Sequence, residues 1–116
     1  MKCFICGQEI LDYGNNPFPL CDREDMDSRC CNDCDNTVIQ ARMIQMRHEQ
    51  DKPEIDKLII IFYSKNSDAP TESIRNTGKF LAGKITEINE EKKTCRGEFG
   101  NFEVDLDYDN YIILNI

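Results

Sequence analysis

The chain has 116 residues, of which 22 are acidic and 14 are basic, so its formal net charge is -8. This charge excludes a protein that coats nucleic acid with its whole surface, because such proteins need positive charge to attract phosphates. Hydrophobic residues make up 40% of the sequence and aromatic residues 9%, which excludes a wholly disordered chain.

The N-terminus and the hydropathy pattern favour a cytoplasmic protein. The segment MKCFICGQEI carries one lysine and lacks the apolar core of a secretion signal. No apolar run approaches the length of a membrane span, so we expect no membrane-embedded segment. Because cytoplasmic thiols are kept reduced, metal binding explains the seven cysteines better than disulfide bonding does.

Two Cys-x2-Cys pairs predict one metal site near the N-terminus. The first pair is Cys3 and Cys6, followed by Gly7, which supplies the positive-φ residue that a zinc knuckle needs. The second pair is Cys31 and Cys34. Four thiolates suit a tetrahedral zinc ion and leave no position for a substrate water, so the predicted cofactor is one structural zinc ion.

The second cysteine pair is predicted to lie at the start of a helix over residues 31–50. This segment contains no glycine or proline, and its first turn is rich in Asn and Asp. Cys30 and Cys21 are alternative ligands. They are less favoured because Cys31 and Cys34 can share one helical turn, where the helix dipole stabilises thiolates.

The order of knuckle, hairpin and ligand-bearing helix resembles a treble-clef zinc finger over roughly the first 50 residues. The segments ICGQEI-LDYGNNPFPL and SRCCNDCDNTVIQAR resemble a group of small zinc-finger proteins from bacteria and their phages. This resemblance implies a bacterial or phage source, and the cytoplasm of a host cell in the second case. It implies no particular activity.

The segment YGNNPFPL, between the two cysteine pairs, is predicted to be the tip of the hairpin. Its Gly, Asn and Pro residues favour turns and break regular structure. One interpretation is a plain connection. The other is a recognition loop that binds a partner through Tyr13 and Phe18 as exposed anchors.

A catalytic role is not expected. Many treble clefs carry a nuclease in which a histidine of the hairpin activates water. The single histidine of this chain is His48, about fourteen residues beyond Cys34, or roughly 20 Å along a helix. The sequence also lacks a phosphate-binding loop and a serine–histidine–acid set, so we predict a protein that is not an enzyme.

The remainder of the chain is predicted to form a small antiparallel β domain over residues 58–116. Residues 52–57 are mostly polar, contain Pro53, and are expected to link this domain to a zinc module at 1–51. The order of the predicted strands resembles an SH3-like barrel or curled sheet, which gives an α+β fold overall. The predicted strands are 58–63, 80–88, 94–99, 101–107 and 111–116.

The segment FEVDLDYD suggests an acidic surface. Strand alternation would turn its apolar residues inward and four carboxylates outward, namely those of Glu103, Asp105, Asp107 and Asp109. Such a row is either a solvated outer face or a surface that mimics DNA. The first functional hypothesis is therefore a zinc-stabilised protein that binds a basic protein partner, such as a host enzyme or defence complex inhibited by a phage protein.

The alternative hypothesis is a nucleic-acid-binding regulator that uses the helix. Arg42, Gln45 and Arg47 would then contact the nucleic acid. Charge opposes this hypothesis, since the first fifty residues hold five basic and nine acidic side chains. Zinc bound to four thiolates would move the net charge of the whole chain from -8 to about -10.

Overall fold

The structure, a computed structural model, describes residues 1–48, 51–66 and 80–114. In these ranges the chain forms one α-helix and a five-stranded antiparallel sheet, which is a mixed α/β fold. The bounds are α1 Asn32–His48, β1 Leu58–Tyr63, β2 Leu81–Asn89, β3 Thr94–Gly97, β4 Val104–Asp105 and β5 Asn110–Leu114.

The predicted helix is confirmed as α1, which begins one residue later than expected. Asp33 and Asp35 lie in its first turn, where negative charge complements the positive end of the helix dipole. The amide of Asp35 donates to the carbonyl of Cys31 at 3.0 Å, so helical hydrogen bonding starts at the second cysteine pair. Residues 49–50 of the predicted helix lie outside the described residues. No helix in the described ranges is long and apolar enough to cross a membrane.

The sheet has the strand order β4-β3-β2-β1-β5. Strand β2 belongs to two parts of it: residues 81–84 pair with β1, and residues 85–89 pair with β3. The register shifts between Ile85 and Glu87, at the point where β2 changes its partner. Such an irregularity bends a strand and increases its twist, so β2 joins two differently directed parts of one sheet.

The predicted strands agree with the structure except near Val104. β1 has the predicted bounds, and β2, β3 and β5 differ from theirs by at most two residues at each described end. The strand predicted at 101–107 is wrong: β4 has two residues, and the chain then turns, with the amide of Asp109 donating to the carbonyl of Asp105 at 2.8 Å. The end of the last predicted strand, at 115–116, lies outside the described residues.

Strand β1 is buried on both faces, which explains its uninterrupted apolar sequence. Ile59 and Ile61 pack into a core enclosed by the sheet, and Phe62 packs into a second core toward α1. In β5, Ile113 packs into the core enclosed by the sheet and Ile112 packs into the core toward α1. The buried residues of the sheet core are Ile59, Ile61, Ile85, Cys95, Phe99, Val104 and Ile113.

The first 31 residues contain no helix or regular strand. The predicted hairpin is reduced to two isolated bridges, Lys2 with Glu9 and Asn15 with Cys30. The core of this part includes Phe62 of β1 and Ile112 of β5, so the two halves of the chain share buried apolar surface. Its buried members are Cys3, Ile5, Ile10, Leu20, Cys30, Val38, Ala41, Phe62 and Ile112. The division into independent domains at 52–57 stays a prediction.

A buried polar contact also joins the two halves. The Nδ2 atom of Asn110 donates to the carbonyls of Pro19 at 2.9 Å and Cys21 at 2.6 Å. Arg23 donates from Nε to Asn110 Oδ1 at 3.0 Å and from Nη2 to the carbonyl of Asp109 at 2.9 Å. Asn110 is almost fully buried, and these bonds satisfy its amide, so it fixes the loop at 19–23 against β5.

Candidate metal centre

The four predicted ligands Cys3, Cys6, Cys31 and Cys34 lie together, with their sulfur atoms all within 4.8 Å of one another. The Sγ atoms of Cys6 and Cys31 are 3.7 Å apart. A tetrahedral zinc ion with Zn–S bonds of about 2.3 Å requires S–S distances of about 3.8 Å. The donor type, number and spacing therefore fit one tetrahedral ion such as zinc.

The first two sulfurs are held by a tight turn. Gly7 has φ of 77°, a conformation that favours glycine, and its amide donates to the carbonyl of Cys3 at 3.0 Å. This turn directs the amides of Ile5 and Cys6 toward Cys3 Sγ, at 3.4 Å and 3.5 Å. The geometry is that of a knuckle in which backbone donors stabilise a thiolate.

The other two sulfurs are held by the start of α1. Cys31 immediately precedes the helix, and Cys34 lies in its first turn. The amide of Cys31 donates to Cys3 Sγ at 3.3 Å, so Cys3 accepts hydrogen bonds from both halves of the site. The free amides and the dipole at the helix start favour negative charge at these positions.

The thiols of the cluster do not ionise alike. Burial opposes ionisation of Cys3, but hydrogen bonds from the amides of Cys6, Cys31 and Ile5 outweigh it and lower its pKa to about 6. For Cys34, burial and the neighbouring thiols raise the pKa well above its usual range. The Gln8 amide favours the Cys6 thiolate, yet burial and the sulfurs of Cys3 and Cys31 together raise the Cys6 pKa. One thiolate therefore forms readily, and a cation is needed to hold four.

The alternative ligands Cys21 and Cys30 lie outside the cluster. Both are completely buried. Burial raises the pKa of Cys21 to about 11 and that of Cys30 to about 12, and nearby acidic side chains add to both shifts. All seven cysteines are free thiols. Cys21 and Cys30 are thus neutral apolar residues, and Cys30 belongs to the core beneath the cluster.

The expected outward row of four carboxylates does not form, because Asp109 is completely buried. Its carboxylate accepts three hydrogen bonds: from Ser64 Oγ at 2.7 Å, from the amide of Lys65 at 3.0 Å and from the amide of Asp105 at 2.8 Å. Strand alternation predicts the wrong side for Asp109 because the chain leaves the strand after residue 105 and turns back. Asp109 therefore organises the turn between β4 and β5.

The other three carboxylates of this row contact basic side chains of the same chain. Glu103 pairs with Arg96 at 2.9 Å, and the Arg96 guanidinium lowers the pKa of Glu103. Asp105 pairs with Lys65 at 2.8 Å and Asp107 with Lys93 at 3.5 Å. These pairs neutralise most of the negative charge that a DNA-like surface would need.

The residues proposed for partner or nucleic-acid contacts differ in exposure. Tyr13 is 95% exposed, whereas Phe18 is half-buried. Arg42 donates to the carbonyls of Phe18 at 3.0 Å and Asn16 at 2.8 Å, so its guanidinium supports the loop instead of facing solvent freely. Gln45 lines a cleft of about 290 Å³ between the two halves, and Arg47 is exposed.

Two groups of residues were not predicted from the sequence. The first is the buried pair of Asp109 and Asn110, which no sequence pattern distinguishes from the ordinary turn residues around it. The second is a row of exposed apolar side chains on α1, formed by Ile39, Met43 and Met46. Their spacing of four and three residues was visible in the sequence as a second apolar face of the helix.

Comparison of the chain with protein-family models, curated proteins and solved structures finds no match in any of the three.

Proposed function

We propose that this protein is a non-enzymatic, zinc-stabilised module that binds another protein through its first half. One observation supports this proposal above the others: Leu11 and Tyr13 are 98% and 95% exposed, although they belong to a loop that is fixed in place. Tyrosine is among the residues that most often dominate protein interfaces, and Leu11 adds apolar area beside Tyr13.

The loop that carries Leu11 and Tyr13 is held at several points. Asp12 Oδ1 accepts a hydrogen bond from the amide of Gly14 at 2.8 Å. Gly14 has φ of 70°, and a Cβ at this position would lie 2.8 Å from Cβ of Arg29, so another residue would displace the loop. Asn15 exchanges two backbone hydrogen bonds with Cys30, at 2.9 Å and 2.8 Å. Binding would therefore cost little additional ordering of this segment.

The proposed role of zinc is structural. The ion would be held by Cys3, Cys6, Cys31 and Cys34, and it would supply the cross-link between the N-terminal turn and α1. Four thiolates complete its coordination, which leaves no position for a substrate or an activated water. The sequence of knuckle, bridge and helix supports assignment of this half to the treble-clef zinc fingers.

The second half would serve as a scaffold of the SH3-like barrel type. Three features support this assignment: β1 pairs with both β2 and β5, β2 is shared between two parts of the sheet, and a short turn precedes β5. This part covers one side of the zinc module with Phe62 and Ile112.

The proposed partner is basic, because the chain carries a net charge of -8, which zinc and four thiolates would change to about -10. The resemblance of the first half to bacterial and phage proteins makes a bacterial enzyme or defence complex a suitable candidate. DNA mimicry through Glu103, Asp105, Asp107 and Asp109 is not favoured, since Asp109 is buried and the others are paired.

The nucleic-acid alternative has less support. Among the arginines of the first half, Arg23, Arg29 and Arg42 donate to carbonyls or side chains of the same chain. Phosphate binding would require these guanidinium groups to leave partners that they already satisfy.

The proposal can be tested by capture from a bacterial lysate. The zinc-loaded chain would be immobilised in three forms: unchanged, Leu11→Ser with Tyr13→Ser, and Met26→Ser. Met26 is a matched control because it is also exposed, at 77%, in the same half. We expect a retained protein that the double variant loses about tenfold or more and that the control keeps. Equal retention by all three forms, or none above bare resin, would contradict the proposal.

A further inference from the structure

Helix α1 is apolar on two opposite faces. One face carries Cys34, Val38, Ala41 and Ile44, which pack on the core shared with β1 and β5. The opposite face carries Ile39, Met43 and Met46, which are 44%, 53% and 79% exposed. We call these three residues and the helix surface around them the outer face of α1.

A helix at the surface of a protein ordinarily has a polar face toward water, and a helix that is apolar all round is buried. The outer face is not polar in this way, because its centre is occupied by an isoleucine and two methionines at spacings of four and three residues. Methionine adapts its shape to an opposing surface and is frequent at binding sites for helices. The composition therefore fits a face that becomes buried in a complex.

The outer face continues toward the proposed metal centre. Asn32 and Asn36 precede Ile39 at helical spacing and so lie on the same side of α1. Asn32 lines a groove of about 420 Å³ between the start of α1 and the loop at 8–12, which includes the exposed Leu11. The side chain of Asn15, three residues after this loop, donates to Asn32 Oδ1 at 2.9 Å and so joins this part of the chain to the helix. The apolar row and the groove thus form one elongated surface.

The two ends of this surface differ in charge. The groove end carries the carboxylates of Asp12 and Asp33 and adjoins the four thiols. Glu9 also lies at this end, but its carboxylate pairs with the N-terminal amine at 2.7 Å. With zinc bound, the thiolate cluster would add two negative charges at this end. Arg47 is the exposed cation of the far end of α1 within the described residues.

We propose that the outer face of α1 binds an amphipathic helix of a partner protein, whose apolar row packs on Ile39, Met43 and Met46 and whose basic residues lie at the groove end. This inference rests on the proposed function and names its partner surface. Two helices pack against each other through apolar rows at spacings of three and four residues, and the acidic groove end selects a basic helix. A second copy of this chain fits less well, because each copy carries a net charge of -8 and like charges oppose association.

The probe for this proposal is a synthetic amphipathic peptide of about 18 residues, with leucine at helical spacing and lysine elsewhere, since shorter helices are marginal in water. Two further peptides serve as comparisons: one with the same residues in scrambled order, and one with glutamate in place of lysine. Binding to the zinc-loaded full chain would be measured by fluorescence anisotropy at fixed ionic strength. We expect the amphipathic basic peptide to bind at least about tenfold more tightly than the other two.

The surface is identified by matched variants. Met43→Gln and Met46→Gln remove apolar area while keeping a residue that favours helix, and Met26→Gln is the control at an exposed methionine outside α1. We expect the two α1 variants together to weaken binding about tenfold and the control to leave it unchanged. Circular dichroism and zinc content would verify that each variant is folded and metal-loaded.

Three results would overturn the inference. These are equal binding of the scrambled peptide, equal loss of binding in the Met26→Gln control, and a stable dimer in sedimentation experiments that the α1 variants dissociate. The third result would mean that a second copy covers the outer face. Lysate capture is judged by the Leu11→Ser and Tyr13→Ser variant, and peptide binding by the Met43→Gln and Met46→Gln variants, so the proposed function and this inference can fail separately.

Discussion

The two halves of this molecule are stabilised in different ways. The sheet encloses an apolar core of seven buried residues, as small β structures ordinarily do. The first 31 residues have no helix or regular strand. They contain three of the four clustered thiols and several side-chain hydrogen bonds to the backbone, and their apolar core also includes residues of β1 and β5. A core this thin packs against a neighbour, and the proposed metal cross-link would stabilise it further.

The two halves therefore depend on each other to different extents. Among the described residues, the buried members of the sheet core belong to the strands, apart from Phe99 in the segment before β4. The core of the first half includes Phe62 and Ile112, which belong to the sheet. We therefore expect the first half to unfold more easily than the sheet when either the proposed metal or the contacts with β5 are removed.

The largest expected effect follows removal of a metal ligand. Cys3→Ser should abolish zinc binding and unfold the first half, because structural zinc contributes an apparent binding free energy of about 10–16 kcal/mol in small modules. Cys95→Ser, in the sheet core, should keep the zinc content of the unchanged chain. Native mass spectrometry measures the metal, and amide exchange measures each half. Loss of exchange protection in β2 and β3 to the same extent as in α1 would contradict the unequal dependence.

The second-largest expected effect is release of the metal in acid. The hydrogen bonds to Cys3 lower its pKa from 9.0 to about 6, so its thiolate contributes stability fully above pH 9 and loses that contribution as the pH falls through 6. Protons then compete with the ion for all four sulfurs. We expect zinc to be retained at pH 7 and lost at about pH 4. Metal analysis after dialysis at a series of pH values would measure this, and unchanged zinc content at pH 4 would disprove it.

Replacement of Asp109 should weaken the sheet. Asp109→Asn puts a donor where Ser64, Lys65 and Asp105 all donate, so we expect the free energy of unfolding to fall by about 3 kcal/mol. Asp107→Asn is the matched control, since Asp107 is exposed and should cost less than about 0.5 kcal/mol. Urea unfolding monitored by circular dichroism compares them. Equal costs would show that the buried carboxylate is not needed.

The link between the halves is tested by Asn110→Ala. This change leaves the carbonyls of Pro19 and Cys21 without their donor, and we expect a cost of about 2 kcal/mol in the zinc-loaded chain. In the metal-free chain, where the first half is already unfolded, the same substitution should cost much less. Unfolding experiments with and without a chelator measure the difference. An equal cost in both states would mean that the halves are not coupled through β5.

The smallest expected effect concerns Arg42. Arg42→Lys should lower the free energy of unfolding by about 1 kcal/mol, because a lysine cannot donate to the carbonyls of Asn16 and Phe18 in the same geometry. Arg47→Lys, on the exposed surface, is the control and should have no measurable effect. A gel-shift titration with duplex DNA at low salt should show no difference between them, and weaker DNA binding by the Arg42 variant would favour the nucleic-acid alternative.

The cysteine cluster and most strands follow from short-range patterns, so the sequence predicts them well. Cys-x2-Cys pairs specify a metal site because ligand spacing and turn geometry are local. LIIIFY predicts β1 because a short, β-branched apolar run is typical of a strand buried on both faces. The sequence alone does not exclude Cys21 and Cys30 as metal ligands. Their burial depends on contacts with residues distant in sequence.

The acidic segment shows where local patterns are insufficient. Alternation in FEVDLDYD is that of a strand, but a strand continues only where a partner strand offers hydrogen bonds, and β3 pairs with β4 over two positions. Beyond Asp105, the side chain of Asp109 turns inward to bind Ser64 and the amide of Lys65. That contact spans more than forty residues, so no pattern within the segment could reveal it.

The position of β5 in the chain has a consequence for synthesis on the ribosome. β5 follows every other described element, yet it pairs with β1, packs against α1 and carries Asn110. The four clustered cysteines emerge early and could take up a metal ion, while the apolar core under α1 lacks Ile112 until β5 has been translated. A nascent chain that stalls before β5 would thus combine a completed metal site with an open core, the kind of intermediate that chaperones and proteases recognise.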